Sequence, residues 1–378
     1  MQAPRSEPLT AGPPFSPERK LGLVPRSAGG RTLLLIGGLV GLVLVSALLG
    51  DVRIPARVVF GILGQHLLGG ILPGGPCAGA PISGTQCRVD DLIVWTNYVP
   101  QVLLGVLVGA ALGMSGGALQ GTFRNPLADP YLLGLSSGAA FGAALLFVFH
   151  LGVQYADLTL PLFAFAGSLL SAAVVLLAAR SPRSSVTTLL LTGVAMSSFF
   201  SALLVLTLLY NPNGNLQVSF WLLGGLEGAT WTQVGIVFAG VLIPGSVLGL
   251  YGRSLNLLQL GPEVAQSLGV DARATRIRII LLASIATSVA VAFAGVIGFV
   301  GLVSPHVVRR LAGVDYRVVL TGAAVVGAIF VLGARDLALV VFPGIEVPVG
   351  VPMAFAGALF FLYLLYRRSD RPGDRGGW

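Results

Sequence analysis

Charge is scarce in this chain: Asp, Glu, Lys and Arg make up 10% of its 378 residues, against the ~25% usual in soluble domains. Lysine occurs once, at Lys20, and histidine three times, at His66, His150 and His306. Lys20 is followed by Leu21, so no GxxxxGK[ST] phosphate loop can be written and the chain cannot hydrolyse ATP by that route. The histidines lie far apart with no HExxH, so no metal site is expected and each is read as a satisfied structural residue. Only two cysteines, Cys77 and Cys87, are present.

What fills the chain is apolar. Hydrophobic residues are 55% of it and the mean hydropathy is +0.88, values that mark an all-α, multi-span membrane protein. Glycine is abundant, at 52 residues, and small residues let transmembrane helices approach closely. The net charge of +8 does not point to nucleic acid, because the arginines sit in short loops between apolar runs instead of on one face. They read as orientation signals.

Uncharged segments near the ~20 residues a bilayer needs predict ten helices, near residues 31–50, 98–118, 131–150, 157–179, 185–209, 232–250, 276–297, 303–312, 317–341 and 349–367. The eighth is short and is expected to dip partway or to be buried among its neighbours. Residues 1–30, rich in Pro, Ser and Gly, are expected to be a disordered segment, 31–368 the transmembrane domain and 369–378 a tail. The long basic leader argues for a retained first helix, although Val45-Ser46-Ala47 leaves a cleavage site open. With the N-terminus inside, 19 of the 23 Lys and Arg fall on cytoplasmic segments. Arg53, Arg57 and Arg88 face out and Arg335 falls within a span. Both termini are therefore expected in the cytoplasm.

The longest outside loop, Asp51 to Asn97, holds an apolar piece, Val58 to Ile71, suited to lie on the membrane surface as an amphipathic helix. Both cysteines follow it, on the side where disulfides persist. A Cys77–Cys87 bridge would close about eleven residues, worth roughly 3 kcal/mol in the chain-entropy model; two independent thiols are the other reading. Ion-driven carriers place acidic groups inside the membrane, whereas here the only such acid is Asp336, beside Arg335. That pair reads as a compensated structural charge, which disfavours the alternative of a secondary, ion-coupled metal or cofactor carrier.

Three polar interruptions stand out. Arg124 to Pro130 (RNPLADP) is a turn forced by two prolines flanking Asn and Asp. Gly298 to Arg310 breaks one helix and starts another. Leu260 to Val270 (LGPEVAQSLGV) predicts a two-turn cytoplasmic helix: Gly261-Pro262 at its start, Glu263 at the positive end of its dipole, Gly269 as a left-handed stop. Val264 and Leu268 stand four apart with Ala265 beside them, while Glu263, Gln266 and Ser267 stay polar. So short a helix must be held by the membrane helices, leaving a surface for a second protein.

The segments Val108 to Ala143 (VGAALGMSGGALQGTFRNPLADPYLLGLSSGAAFGA), Trp221 to Trp231 (WLLGGLEGATW), Leu260 to Val270, Gly295 to Gly313 (GVIGFVGLVSPHVVRRLAG) and Glu346 to Leu365 (EVPVGVPMAFAGALFFLYLL) resemble the FecCD-like permease subunits of binding-protein-dependent ABC importers for ferric siderophores, haem and cobalamin. The five motifs are co-linear from about residue 32 to 368. The resemblance implies a type II ABC importer permease of the bacterial cytoplasmic membrane, with ten helices per subunit and no covalently bound cofactor. It works as a homodimer or heterodimer, with two ATPase subunits using ATP and Mg on the cytoplasmic side, a soluble binding protein outside, and membrane lipid around it.

The family's ATPase-coupling helix maps onto Gly261, Pro262, Glu263, Val264, Ala265, Gln266, Ser267, Leu268 and Gly269. Its cytoplasmic gate maps onto Asn125, Leu127, Val186 and Thr187. Internal pseudo-symmetry survives as a trace, SGGALQGTFRNP against GVIGFVGLVSP. One departure concerns docking: where many members carry Arg-x-Pro-Arg at the outer end of the second helix, this chain reads Tyr98-Val99-Pro100-Gln101. Contacts to the binding protein are then expected from Tyr98 and Gln101, or from Arg53, Arg57 or Arg88, unless the partner itself has changed.

Overall fold

The computed structural model describes residues 28–69, 77, 83–149, 156–181, 185–210 and 215–369, and every regular element among them is helical. The expected N-terminal disorder falls outside these residues up to 27, as do His150, Arg183 and the tail from 370.

The chain runs through α1 (Ala28–Leu48), α2 (Ala56–Leu67), α3 (Gly84–Ile93), a π-helical turn (Val94–Tyr98) and α4 (Val99–Phe123). A 3-10 turn (Pro130–Leu133) leads into α5 (Leu135–Phe149), α6 (Ala156–Ala179), α7 (Val186–Tyr210), α8 (Asn215–Leu222) and α9 (Trp231–Leu250). Then come α10 (Gly252–Gln259), α11 (Pro262–Ser267), α12 (Ala272–Ala294), α13 (Val300–Ala312), α14 (Tyr316–Val341) and α15 (Gly350–Ser369). By length and composition seven runs can cross a membrane: α1, the continuous α3–α4 run, α6, α7, α9, α12 and α14. With the shorter α5, α13 and α15 they account for the ten expected helices. The 13-residue α13 is indeed flanked by neighbours, burying Val300, Val303, Ser304, Pro305 and Val308.

The second helix is longer than its apolar stretch. Arg88, Asp90 and Asp91 make its outer part read as loop, yet Ser83 caps it by accepting from the Gln86 N–H at 3.1 Å, and Gln86 Nε2 donates to Asp90 at 2.8 Å. Asp91 meets His66 at 2.8 Å, so both carboxylates are partnered and the helix runs on past the apolar stretch. There α2 lays Val58, Val59 and Ile62 against Val94 and Tyr98, and Cys77 is bonded to Cys87 with Cα atoms 6.0 Å apart. The expected amphipathic segment is thus a helix that ends at Leu67 and packs its apolar stripe on protein. We call this end the disulfide face, and the end bearing α10 and α11 the arginine-rich face.

At the centre α4 packs on α14 through glycines. A Cβ on Gly113 would stand 2.1 Å from the Ala323 carbonyl oxygen, and one on Gly109 would stand 2.4 Å from that of Gly327. The glycine excess here permits backbone-to-backbone contact. The two irregular motifs, RNPLADP and the break before α13, meet each other. A Cβ on Gly301 would stand 2.9 Å from the Pro130 ring and 3.3 Å from the Asp129 carboxylate, Gln120 Nε2 donates to the Gly301 and Leu302 carbonyls at 3.2 and 3.3 Å, and the Tyr131 hydroxyl donates to the Ile297 carbonyl at 3.0 Å. Broken backbone buried in a bundle needs such partners.

Candidate coupling and gating site

Two glycines bound the short helix on the arginine-rich face. Gly261 has φ +115° and Gly269 φ +84°, conformations that side chains disfavour. Pro262 opens α11, and the Val270 N–H closes it by donating to the Ala265 carbonyl at 2.9 Å, the six-to-one bond of a Schellman stop. The three apolar residues expected to share a face divide. Ala265 is fully buried against a cluster that includes Leu255, Leu258 and Ile280. Val264 and Leu268 point outward instead, 43% and 57% exposed, with Leu260 beside them at 62%. Three large apolar side chains at four-residue intervals on an exposed turn form a surface that a second protein would cover.

The mapped gate residues fall into two places. Asn125 and Leu127 form the turn after α4, where Asn125 Oδ1 accepts from the Leu127 N–H at 2.9 Å. Arg124, in the left-handed region at φ 52°, reverses the chain there. This turn is tied to α10 by Gln259 Nε2, which donates to the Gly121 carbonyl at 2.8 Å. Val186 and Thr187 begin α7, with Ser185 Oγ accepting from the Thr188 N–H at 3.1 Å. A cavity of about 390 Å³ is walled by Ser185, Val186 and Leu189 on one side and by Pro262, Gln266 and Arg276 on the other. The structure therefore sets α11 and the start of α7 across one space. It does not bring Asn125 or Leu127 to that cavity.

On the disulfide face the docking expectation needs correction. Tyr98 is 3% exposed; its hydroxyl accepts from the Val52 N–H at 2.8 Å, so the ring closes the α1–α2 connection instead of offering a contact. Gln101 is half-buried, donating to Asn97 at 2.6 Å and accepting from Arg335 Nη2 at 3.1 Å. Arg53, Arg57 and Arg88 remain exposed. Arg335 pairs with Asp336 at 3.0 Å, and Asp336 also accepts from Ser46 Oγ at 2.6 Å. The network ties α14 to the end of α1, as a compensated structural pair does.

Sequence reasoning missed a vestibule on this face. Glu227, Glu346, Gln233 and Trp221 line a cavity of about 680 Å³. The Glu227 carboxyl stands above the ordinary carboxylate range because the cavity wall strips water from it, with the Glu346 carboxylate adding repulsion. His66 stacks on Trp95, ring centroids 4.1 Å apart, and meets Asp91 at 2.8 Å. Among the described residues no group of three His, Cys, Asp or Glu could hold a metal ion.

A bundle with broken helices at its centre and one short, capped helix that leaves large apolar side chains exposed has the build of a membrane subunit that works with a partner, and the comparisons say which kind. The hemin transport permease HmuU of Yersinia pestis is 41% identical over 283 residues, 74% of this chain and 84% of its own length. The cobalamin import permease BtuC of Halobacterium salinarum is 40% identical over 297 residues, 77% and 78% of the two chains. The Fe(3+)-citrate import permease YfmE of Bacillus subtilis is 35% identical over 276 residues, 73% and 82%. A solved metal-chelate type ABC transporter in an inward-facing conformation matches with a TM-score of 0.74 at 27% identity, covering 90% of this chain and 99% of that one. The FecCD transport family model matches residues 35–367. The chain belongs to that family and is a permease subunit, which carries no enzymatic activity of its own.

Proposed function

We propose that this chain forms, with a second permease, the pathway of an importer for a large chelate, ferric siderophore first and haem or cobalamin next, in a bacterial cytoplasmic membrane with both termini inside. Two ATPase subunits seat on the arginine-rich face, covering Leu260, Val264 and Leu268. A soluble binding protein docks on the disulfide face, where Arg53, Arg57 and Arg88 take the place of the family's usual arginines. Transport is by alternating access. ATP closure of the partner moves α11; that displacement passes to the start of α7 and, through Gln259 and Gly121, to the Asn125 turn, so that Val186 and Thr187 at one place and Asn125 and Leu127 at another open and close the pathway. The observation that carries this reading is the common cavity between α11 and Val186, because a helix that moves across it must move or release the other wall. Cargo choice rests mainly with the binding protein, so the pathway itself should grip weakly.

The test is uptake in vesicles holding the full complex. Transport of a ferric chelate, haem or cobalamin should need ATP and the binding protein. Uptake under an ion gradient alone, without the ATPase, would overturn the reading.

A further inference from the structure

The cavity between α11 and α7 has a chemistry that coupling does not require. Besides the walls already named, it is lined by Arg273, Asp271 and Ser181. Asp271 is committed elsewhere: Oδ1 accepts from the Arg273 and Ala274 N–H groups at 2.9 and 3.0 Å, capping α12. Arg273 also lines the cavity and donates to the Arg180 carbonyl just past the end of α6. The Nε of Arg276 is buried and has no hydrogen-bond partner among the described residues. Arg124 stands close enough for its charge to oppose that of Arg276. A buried guanidinium N–H without a partner, with a second cation nearby, is costly, and the hydroxyls of Ser181 and Ser185 and the Gln266 amide lie around the same space.

We propose that this cavity binds a phosphate group, held by the Arg276 and Arg273 guanidiniums with Ser185 and Gln266 as neutral partners. Guanidinium is the cation best matched to phosphate oxygens. The cavity lies beside the first turn of α7, a helix long and apolar enough to cross a membrane, and basic residues at the end of such a helix attract anionic lipid. The phosphate comes either from an anionic phospholipid or from free phosphate; the ligand chemistry is common to both. Bound there, it links α12, α11 and the start of α7. It would stiffen the connection on which the proposed coupling rests, although binding itself does not depend on that reading.

The experiment uses the full-length permease purified in neutral detergent, without ATPase. Thermal unfolding is followed while inorganic phosphate, phosphatidylglycerol or phosphatidylcholine is titrated in. Stabilisation by phosphatidylglycerol but not by phosphatidylcholine or phosphate assigns the site to lipid; stabilisation by phosphate as well assigns it to the free anion. In either case Arg276→Gln should weaken half-saturation by about tenfold, the loss of one charged hydrogen-bonding group, while the exposed neighbour variant Arg278→Gln responds as wild type. Ser185→Asp, which puts a carboxylate on the opposite wall, should abolish the response without removing an arginine. If neither anion stabilises the protein, or if Arg276→Gln and Ser185→Asp both respond as wild type, the site does not exist. Leu268→Asp should leave the response intact, which separates failure here from failure of the coupling reading.

Discussion

Gln259 at the end of α10 donates its side-chain amide to the carbonyl of Gly121 in the last turn of α4. The bond joins the arm that carries α11 to the helix that delivers Asn125 and Leu127. Replacing Gln259 with Ala leaves that carbonyl without this donor, and should cost about 1 kcal/mol of stability. The sharper expectation is functional: ATP hydrolysis by the reconstituted complex persists while uptake per ATP falls. Unchanged stoichiometry would show that this bond transmits nothing.

Backbone contact between helices predicts a contrast among glycines. A Cβ on Gly116 would stand 1.9 Å from the Gly301 carbonyl oxygen, whereas one on Gly37 meets nothing within 4 Å. Gly116→Ala should therefore destabilise the bundle by about 1–3 kcal/mol as an overpacking change, and Gly37→Ala should fall within about 0.5 kcal/mol of wild type. Fluorescence-detected thermal unfolding in detergent compares the two.

The start of α14 supplies a pH dependence. Asn256 Nδ2, at 2.7 Å, and the Arg317 N–H, at 2.9 Å, both donate to Asp315 Oδ1, and together they hold its carboxyl below the ordinary carboxylate range. A depressed folded value stabilises above the unfolded pKa, near ~3.9, and the contribution disappears as pH falls through the lower folded value. Asp315→Ala should lose about 1 kcal/mol at neutral pH as a missing N-cap. The loss relative to wild type should shrink as the pH is taken below that window, read from unfolding midpoints at stepped pH.

The Cys77–Cys87 bridge predicts a local effect. Replacing both with Ser should open α2 and the front of α3 to hydrogen exchange, with roughly 3 kcal/mol of loop-closure stabilisation removed, while protection across α4 and α14 stays as in wild type. Equal protection around α2 in both proteins would contradict it.

Much of this architecture was legible because a bilayer imposes length and polarity segment by segment. The spans, the glycines that bound α11 and the Arg335–Asp336 pair all follow from local pattern. What local pattern hid was pairing at a distance. Nothing in RNPLADP shows that Asp129 will lie beside Gly301, and nothing around Gln259 points to Gly121. Tyr98 stood where the family's exposed arginines do, yet its ring turned inward because Val52, 46 residues earlier, needed a partner. The α3 extension was readable: Ser83-x-x-Gln86 is a capping signature, but Arg88, Asp90 and Asp91 lowered its hydropathy. The division of Val264 and Leu268 from Ala265 needed the neighbouring helices, since six residues have no stable face of their own.

The account stands on α11 as the place where an ATPase pushes, and Leu268→Asp tests it most directly. The substitution puts a charge into an apolar surface 57% exposed in this chain, so the protein should still fold and insert. Reconstituted with its ATPase and binding protein, it should show chelate uptake reduced to background, because burying the carboxylate under a partner costs several kcal/mol. Uptake at the wild-type rate per ATP hydrolysed would contradict the account.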